Sequence, residues 1–323
     1  MKTNKLFIIP VLAVLALSLA NACAATLIPV VIGDRWGFAD QSGKVVINPQ
    51  FERAEPFASG LAEVRLDNKW GYVNASGKMA VNPQFDKAGP FSDGLAAVVV
   101  GDHCGYVNPE GKYAINPQFD EAGTFTEGRA SIKLNHRFGY IDKTGKIVIN
   151  PQFDDAADFS EGLAAIGLGG RFGFIDKTGK TVINPQFEKA GSFSEDLATV
   201  RVAKRWGFID KTGKMVISPQ FDDAHSFVKG LAPARLGKKW GYIDPAGKFV
   251  VNPQFDDAAE FSEGLAAVHT GGRWGYIDKS GKLAINPQFD EAMAFTDGLA
   301  RVKVGHKTGY INASGKYIWN PSN

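Results

Sequence analysis

Apolar and polar side chains alternate along most of the chain, in runs too short for helices. In Leu61-Ala62-Glu63-Val64-Arg65-Leu66, the residues Ala62, Val64 and Leu66 share one face. Trp70 and Tyr72 share a face of Trp70-Gly71-Tyr72-Val73, and Met79-Ala80-Val81 opens a third run. Period-two alternation over a few residues predicts β-strands. Asp67-Asn68 reads as the turn between the first two runs, and Asn74-Ala75-Ser76-Gly77-Lys78 as the turn between the second and third. Asn, Ser and Gly favour such turns because they cap their own backbone or accept positive φ. Asn82-Pro83 ends or edges the third strand, since proline donates no ladder hydrogen bond. Gln84 to Gly94 reads as a connector that holds Phe85 and Phe91 as plugs between neighbouring units.

The same pattern recurs along the chain. The glycine that follows the aromatic residue falls at 37, 71, 105, 139, 173, 207, 241, 275 and 309, every step being 34 residues without insertion or deletion. Units start at about 27, 61, 95, 129, 163, 197, 231, 265 and 299. Each predicts a three-stranded antiparallel meander, which cannot bury enough apolar surface alone but can when stacked on copies of itself. The fold class expected is therefore all-β, a tandem repeat array over 25–323. Leu27 begins a first strand and Asn320-Pro321 follows a third strand, so both ends fall at unit boundaries. In-phase ends favour an open or superhelical, solenoid-like array; the alternative is a closed, propeller-like ring. A tetratricopeptide array shares the period, but these units are rich in Gly, Pro and Asn and lack helical periodicity.

Lys69-Trp70-Gly71-Tyr72-Val73-Asn74, Arg205-Trp206-Gly207-Phe208-Ile209-Asp210 and Arg273-Trp274-Gly275-Tyr276-Ile277-Asp278 each precede an x-[ST]-G-K turn and a Pro-Gln-Phe segment. On these motifs the chain resembles the WG-repeat (KWG-repeat) family of bacterial exported proteins. The resemblance implies interaction or envelope modules without an assigned reaction.

The first residues carry a different signal. Lys2 and Lys5 precede the apolar run Leu6 to Leu19, and Ala20-Asn21-Ala22-Cys23-Ala24-Ala25 supplies small residues at cleavage-site spacing. This reads as a secretory signal peptide over 1–24, and the expected location is periplasmic or extracellular. The alternative is a lipid anchor on Cys23. No second apolar run is long enough to span a bilayer.

The full chain has 36 basic and 34 acidic residues. Removing 1–24 takes Lys2 and Lys5 and no acid, which leaves the charge balanced. A balanced chain argues against generic nucleic-acid binding. With two cysteines, neither a disulfide framework nor a four-cysteine zinc site is available.

Candidate chemistry is repetitive. Asp142-Lys143-Thr144-Gly145 and its copies superficially resemble calcium loops, but Lys146 follows where a further ligand belongs. Paired carboxylates such as Asp154-Asp155, Asp222-Asp223 and Asp256-Asp257 recur, whereas a catalytic pair is normally single. The five histidines occupy different columns, and no triad, P-loop or dinucleotide fingerprint is recognisable. Cys104 beside His103 reads as a small core residue. No catalytic residue, metal site or cofactor is expected. Two stripes stand out instead: the rings of Trp36, Trp70, Trp206, Trp240 and Trp274, and the turn lysines Lys44, Lys78, Lys146, Lys180, Lys214, Lys248 and Lys282. A basic residue also precedes the aromatic in eight of nine units, from Arg35 to Lys307, and reads as one side of cross-unit ion pairs.

The sequence thus predicts an exported, non-enzymatic repeat scaffold that binds a partner protein multivalently through its repeat surface. The alternative is binding of an envelope glycan or cell-wall polysaccharide by the aromatic and lysine stripes.

Overall fold

The computed structural model describes residues 27–322; the segment 1–24 read as a signal peptide, with Cys23, lies outside the described residues. Nine small antiparallel sheets follow one another along the chain as blades. Blade 1 has three strands, Ile28–Ile32, Arg35–Ala39 and Val45–Phe51. Blades 2 to 9 have four. In blade 2 these are Arg53–Ala54, Leu61–Leu66, Lys69–Asn74 and Met79–Phe85, hydrogen-bonded in that order.

The unit is therefore a four-stranded blade and not the expected meander of three. The segment read as a connector contains a two-residue strand such as Lys87–Ala88, which begins two residues after Phe85 and pairs with Val98 and Val99 of the next blade. Each fourth strand thus runs almost directly into the first strand of its neighbour. Phe91 then plugs the interior beside Tyr72, with ring centroids 4.7 Å apart.

The glycine after the aromatic is explained by this path. Between Val81 and Phe85 the fourth strand bulges, its register against Tyr72 and Trp70 shifting at Asn82-Pro83-Gln84. The bulged backbone crosses Gly71 so closely that a Cβ there would lie 2.5 Å from the Val81 carbonyl oxygen and 2.7 Å from Pro83 N. The same approach recurs in every blade, so the column has room only for glycine. The glycine of the later turn answers a different need. Gly77 has φ +82° and rests on Ile47 of the preceding blade.

The array closes, and the open or superhelical solenoid expected from the sequence is not what forms. Ile28–Ile32 lies against Lys307–Asn312 and Tyr317–Ser322 of blade 9. Ile28, Val30, Ala39, Leu299 and Tyr310 form one buried cluster across that seam. The polar contacts agree. Lys177 reaches Glu127 of the preceding blade at 2.8 Å, and Lys211 reaches Glu161 at 3.1 Å. Gln41 of blade 1, in the same column as those lysines, donates to the Asp297 carbonyl of blade 9 at 2.7 Å. The last and first blades thus make the same contact as internal neighbouring blades. The result is a nine-bladed β-propeller. In-phase ends signal an open array only when closure needs a blade shared by both termini. Here face-to-face packing of the three-stranded first blade on the four-stranded last blade closes the ring.

The turns before each second strand set the inner side. Ser92 Oγ donates to the Phe125 carbonyl at 2.8 Å, and Ser160 to Phe193 at 2.7 Å. Glu161 accepts from the backbone of Glu195 at 2.7 Å and Asp196 at 3.0 Å, and Glu195 accepts from Lys229 at 2.6 Å and Gly230 at 2.8 Å. Packed sheets stand about 10 Å apart on average. Equivalent turns within one side chain's reach must therefore lie where the blades converge.

Candidate functional site

The ring has two faces that differ in chemistry. One carries the two-residue tips between the second and third strands. Asp67 and Asn68 have φ of 49° and 63°, and Ala203 and Lys204 have 48° and 66°. Positive φ at both residues is the type I′ turn, whose twist matches that of a two-residue hairpin. The residue before the tip ends the second strand and projects past its packed neighbours. Ile32, Val100, Leu168, Val202, Leu236 and Val304 are 37–49% exposed there. The alternation of the second strand extends to this column, but its outward position follows only from the turn geometry.

Beside these aliphatic residues five of the eight cations of the basic column are paired with an acid. Lys69 pairs with Asp86 at 2.6 Å, Arg205 with Asp222 at 2.6 Å and Lys239 with Asp256 at 2.6 Å; Arg137 pairs with Asp154, and Arg273 with Asp290. The acid's other oxygen accepts from the next tip, Asp86 from Gly101 at 2.8 Å and Asp154 from Gly169 at 2.7 Å. The column does pair with acids, but each pair lies within one 34-residue unit and not across units as expected; only the hydrogen bond from the acid to the next tip crosses the boundary. Lys69 lowers the pKa of Asp86, and Lys239 that of Asp256. Asp86 and Asp256 thus act as braces of the tip face, each tied to a cation and to the next tip.

Trp36, Trp70, Trp206 and Trp274 are half-buried against the core clusters of their seams, and Trp240 is buried. Trp240 lies under Arg235, 5.7 Å from its ring centroid, and beside His225. Lys44, Lys78, Lys146, Lys180, Lys214, Lys248 and Lys282 are all exposed, but on the opposite face, at the turn between the third and fourth strands. The third strand separates the two columns, so rings and turn lysines do not form one stripe.

The turn that resembles a calcium loop is held by its own carboxylate. Asp142 Oδ1 accepts from Thr144 N at 2.9 Å, Thr144 Oγ1 at 2.6 Å and Lys146 N at 3.1 Å. These bonds lower its pKa, that from the Thr144 hydroxyl contributing most. Cys104 is half-buried with its Sγ 3.8 Å from the Asp120 carbonyl, and burial raises its pKa, which opposes thiolate chemistry. Among the described residues no group of three or more His, Cys, Asp or Glu is arranged to hold a metal. Among the described residues no helix is long and apolar enough to cross a membrane.

Three carboxyls are set in apolar surroundings, Glu63 in its own column and Asp158 and Glu260 in a shared one, and burial raises the pKa of Glu260 as it does those of the other two. Glu63 is buried on the second strand of blade 2, opposite Tyr72, and desolvation raises its pKa to about 7. Burial raises Asp158 to about 6. Neither Glu63 nor Asp158 opens onto a cluster of catalytic groups.

A cavity lies at the blade 9 to blade 1 seam. It has a volume of about 220 Å³ and is lined by Trp36 of blade 1, Arg53 of blade 2, and Glu291, Met293, Arg301, Val302, Lys303 and Thr308 of blade 9. At other seams the two-residue strand of the following blade packs against the third strand of the preceding one. Blade 1 contributes no such strand among the described residues. Thr308 also stands where most blades carry an aromatic ring. The loss of that column at Thr308 is visible in the sequence; its meeting with Arg301 and Met293 at a seam is not.

A family model described as WG containing repeat matches residues 36–70, 70–103, 105–135, 138–171, 172–205, 206–240, 240–274 and 274–307. Among solved structures, the fold is similar to a eukaryotic initiation factor, with a TM-score of 0.66 and 11% identity over 93% of this chain and 96% of that one. The dihydro-heme d1 dehydrogenase NirN aligns with a TM-score of 0.48 and 13% identity over 82% of this chain and 73% of that one. PorZ, a bacterial surface component of the type-IX secretion system of Porphyromonas gingivalis, aligns with a TM-score of 0.36 and 10% identity over 92% of this chain and 51% of that one. The first likeness speaks to the propeller fold alone, and the other two are too weak to carry an argument. No curated protein matches the chain. Eight tandem matches over nearly the whole described chain, on a ring whose glycine column is dictated by backbone contact, make this chain a member of the WG-repeat family.

Proposed function

We propose that the protein is an exported, non-enzymatic scaffold whose tip face binds a partner protein. One observation carries this reading: six aliphatic side chains, one per blade, stand 37–49% exposed on that face beside charges already paired with each other. Exposed apolar groups rimmed by satisfied polar groups are the usual make-up of a protein-binding surface. The rigid ring fixes the spacing of the tips, so several modest contacts add without an ordering cost. The tips differ in sequence, from Asp67-Asn68 to Gly169-Gly170 and Ala203-Lys204, which suits a partner that is not itself repetitive. The glycan reading asks for a shared surface of rings and lysines, and those columns occupy different faces.

The test is capture from an envelope extract by residues 25–323, with Leu168→Ser/Leu236→Ser as the comparison. A defined protein retained by the parent chain and lost from the double variant supports the reading, provided both show the same circular dichroism. Equal retention by both, or retention of saccharide alone, refutes it.

A further inference from the structure

We propose that the cavity between blades 9 and 1 is a binding site for an acidic sugar, a hexuronate unit whose carboxylate is held by Arg301. The site is separate from the tip contacts and does not rest on them.

The argument begins with Arg301. Its column on the second strand holds Pro29, Glu63, Ala97, Ser131, Ala165, Thr199, Pro233 and Ala267, so a guanidinium here is particular to blade 9. The other two cations of the cavity have partners: Lys303 meets Glu291 at 2.9 Å, and Arg53 meets Glu55 at 2.7 Å. Arg301 has no ion pair among the described residues. It is half-buried, and a guanidinium in that setting presents a planar fork of donors that fits a carboxylate.

The surroundings fit a sugar. Cross-strand pairing places Arg301 opposite Tyr310 and Lys303 opposite Thr308, which puts all four side chains on one face of blade 9. The Thr308 hydroxyl and the Glu291 carboxylate supply donors and acceptors for ring hydroxyls. The Trp36 indole offers a flat apolar face of the kind on which a sugar ring stacks. A volume of about 220 Å³ suits one sugar unit and not an extended chain. With Lys303 paired to Glu291 and Arg53 to Glu55, the guanidinium of Arg301 leaves the lining with a net positive charge and sets the sign of the ligand.

The experiment titrates the whole chain with sodium glucuronate, glucose and inorganic phosphate, reading tryptophan fluorescence and calorimetric heat. Glucuronate should bind, glucose at least about tenfold more weakly, and phosphate should not reproduce the fluorescence change. Arg301→Ala installs the residue found in blades 3, 5 and 8, and should lower glucuronate affinity about tenfold or more without shifting the melting temperature. Thr308→Trp restores the ring common to this column and should abolish binding by filling the cavity. Arg235→Ala, a cation of blade 7, serves as the control and should change nothing. Failure of glucuronate to bind, equal binding of glucose, or full affinity in Arg301→Ala and Thr308→Trp would each overturn the assignment.

Discussion

Replacing Gly207 by alanine tests why the glycine after the aromatic recurs in every blade. A Cβ at Gly207 would stand 2.5 Å from the Ile217 carbonyl oxygen, 2.8 Å from Pro219 N and 3.0 Å from Pro219 Cα. Comfortable carbon–oxygen contact begins at about 3.3 Å. Nearly 1 Å must therefore be found, and all three opposing atoms are backbone. The bulge is anchored on both sides, by Ile217 paired with Phe208 and by Phe221 paired with Trp206, with both Ile217 and Phe221 buried. Relief through two or three strained angles and peptide planes costs about 1 kcal/mol each. Lost packing around them brings the expected total to about 3 kcal/mol, the upper end for an overpacked core. Gly237→Ala is the comparison. That glycine sits at a tip with φ +66° and open space around it, so the substitution meets only the left-handed penalty of about 1 kcal/mol. Urea unfolding, followed by far-ultraviolet circular dichroism and tryptophan fluorescence, measures both. A loss for Gly207→Ala no larger than that for Gly237→Ala would refute the account of the motif.

Replacing Ala203-Lys204 by Asn-Gly should raise stability by about 1 kcal/mol, seen as a higher melting temperature, because both residues hold positive φ that Asn and Gly adopt more readily. Glu63 should impose a pH dependence. Its native pKa of about 7 exceeds the ordinary 4.5, chiefly through desolvation, with Glu55 adding repulsion. The native state therefore holds the proton more tightly. The resulting stability is full below pH 4.5 and is lost as pH rises to about 7, a slope worth of order 3 kcal/mol. Glu63→Gln should flatten that slope in chemical denaturation; an unchanged profile would show that another group causes it. Arg137→Ala, which removes an exposed pair with Asp154, should change the melting temperature little, by about 0.5 kcal/mol or less of stability.

The repeat, its hairpin turns and its charge pairing were legible because each is written in short-range pattern. Asp142 caps its turn as its spacing implies, and Lys69 finds Asp86 within its own unit. The strand Lys87–Ala88 escaped notice because two residues show no alternation. Closure escaped notice for a different reason. Whether stacked sheets run straight or curl into a ring depends on the wedge between blades, which is set by how closely the inner turns approach. The serine and acid of each turn, such as Ser160 and Glu161, create that approach, yet in sequence they read only as a polar loop. The seam cavity was partly visible, in Thr308, but Met293 and Arg301 gain meaning only once pairing places them beside it.

The central claim is that blades 9 and 1 are neighbours. Gln41 and Asp297 are 256 residues apart in sequence yet joined by a 2.7 Å hydrogen bond. Spin labels on Gln41→Cys and Asp297→Cys, in a Cys104→Ser background, allow their separation to be measured by electron–electron double resonance. The closed propeller predicts the same short separation for this pair as for labels on Lys177→Cys and Glu127→Cys, which are adjacent-blade equivalents. A separation across the seam far beyond that of the internal pair would contradict the ring.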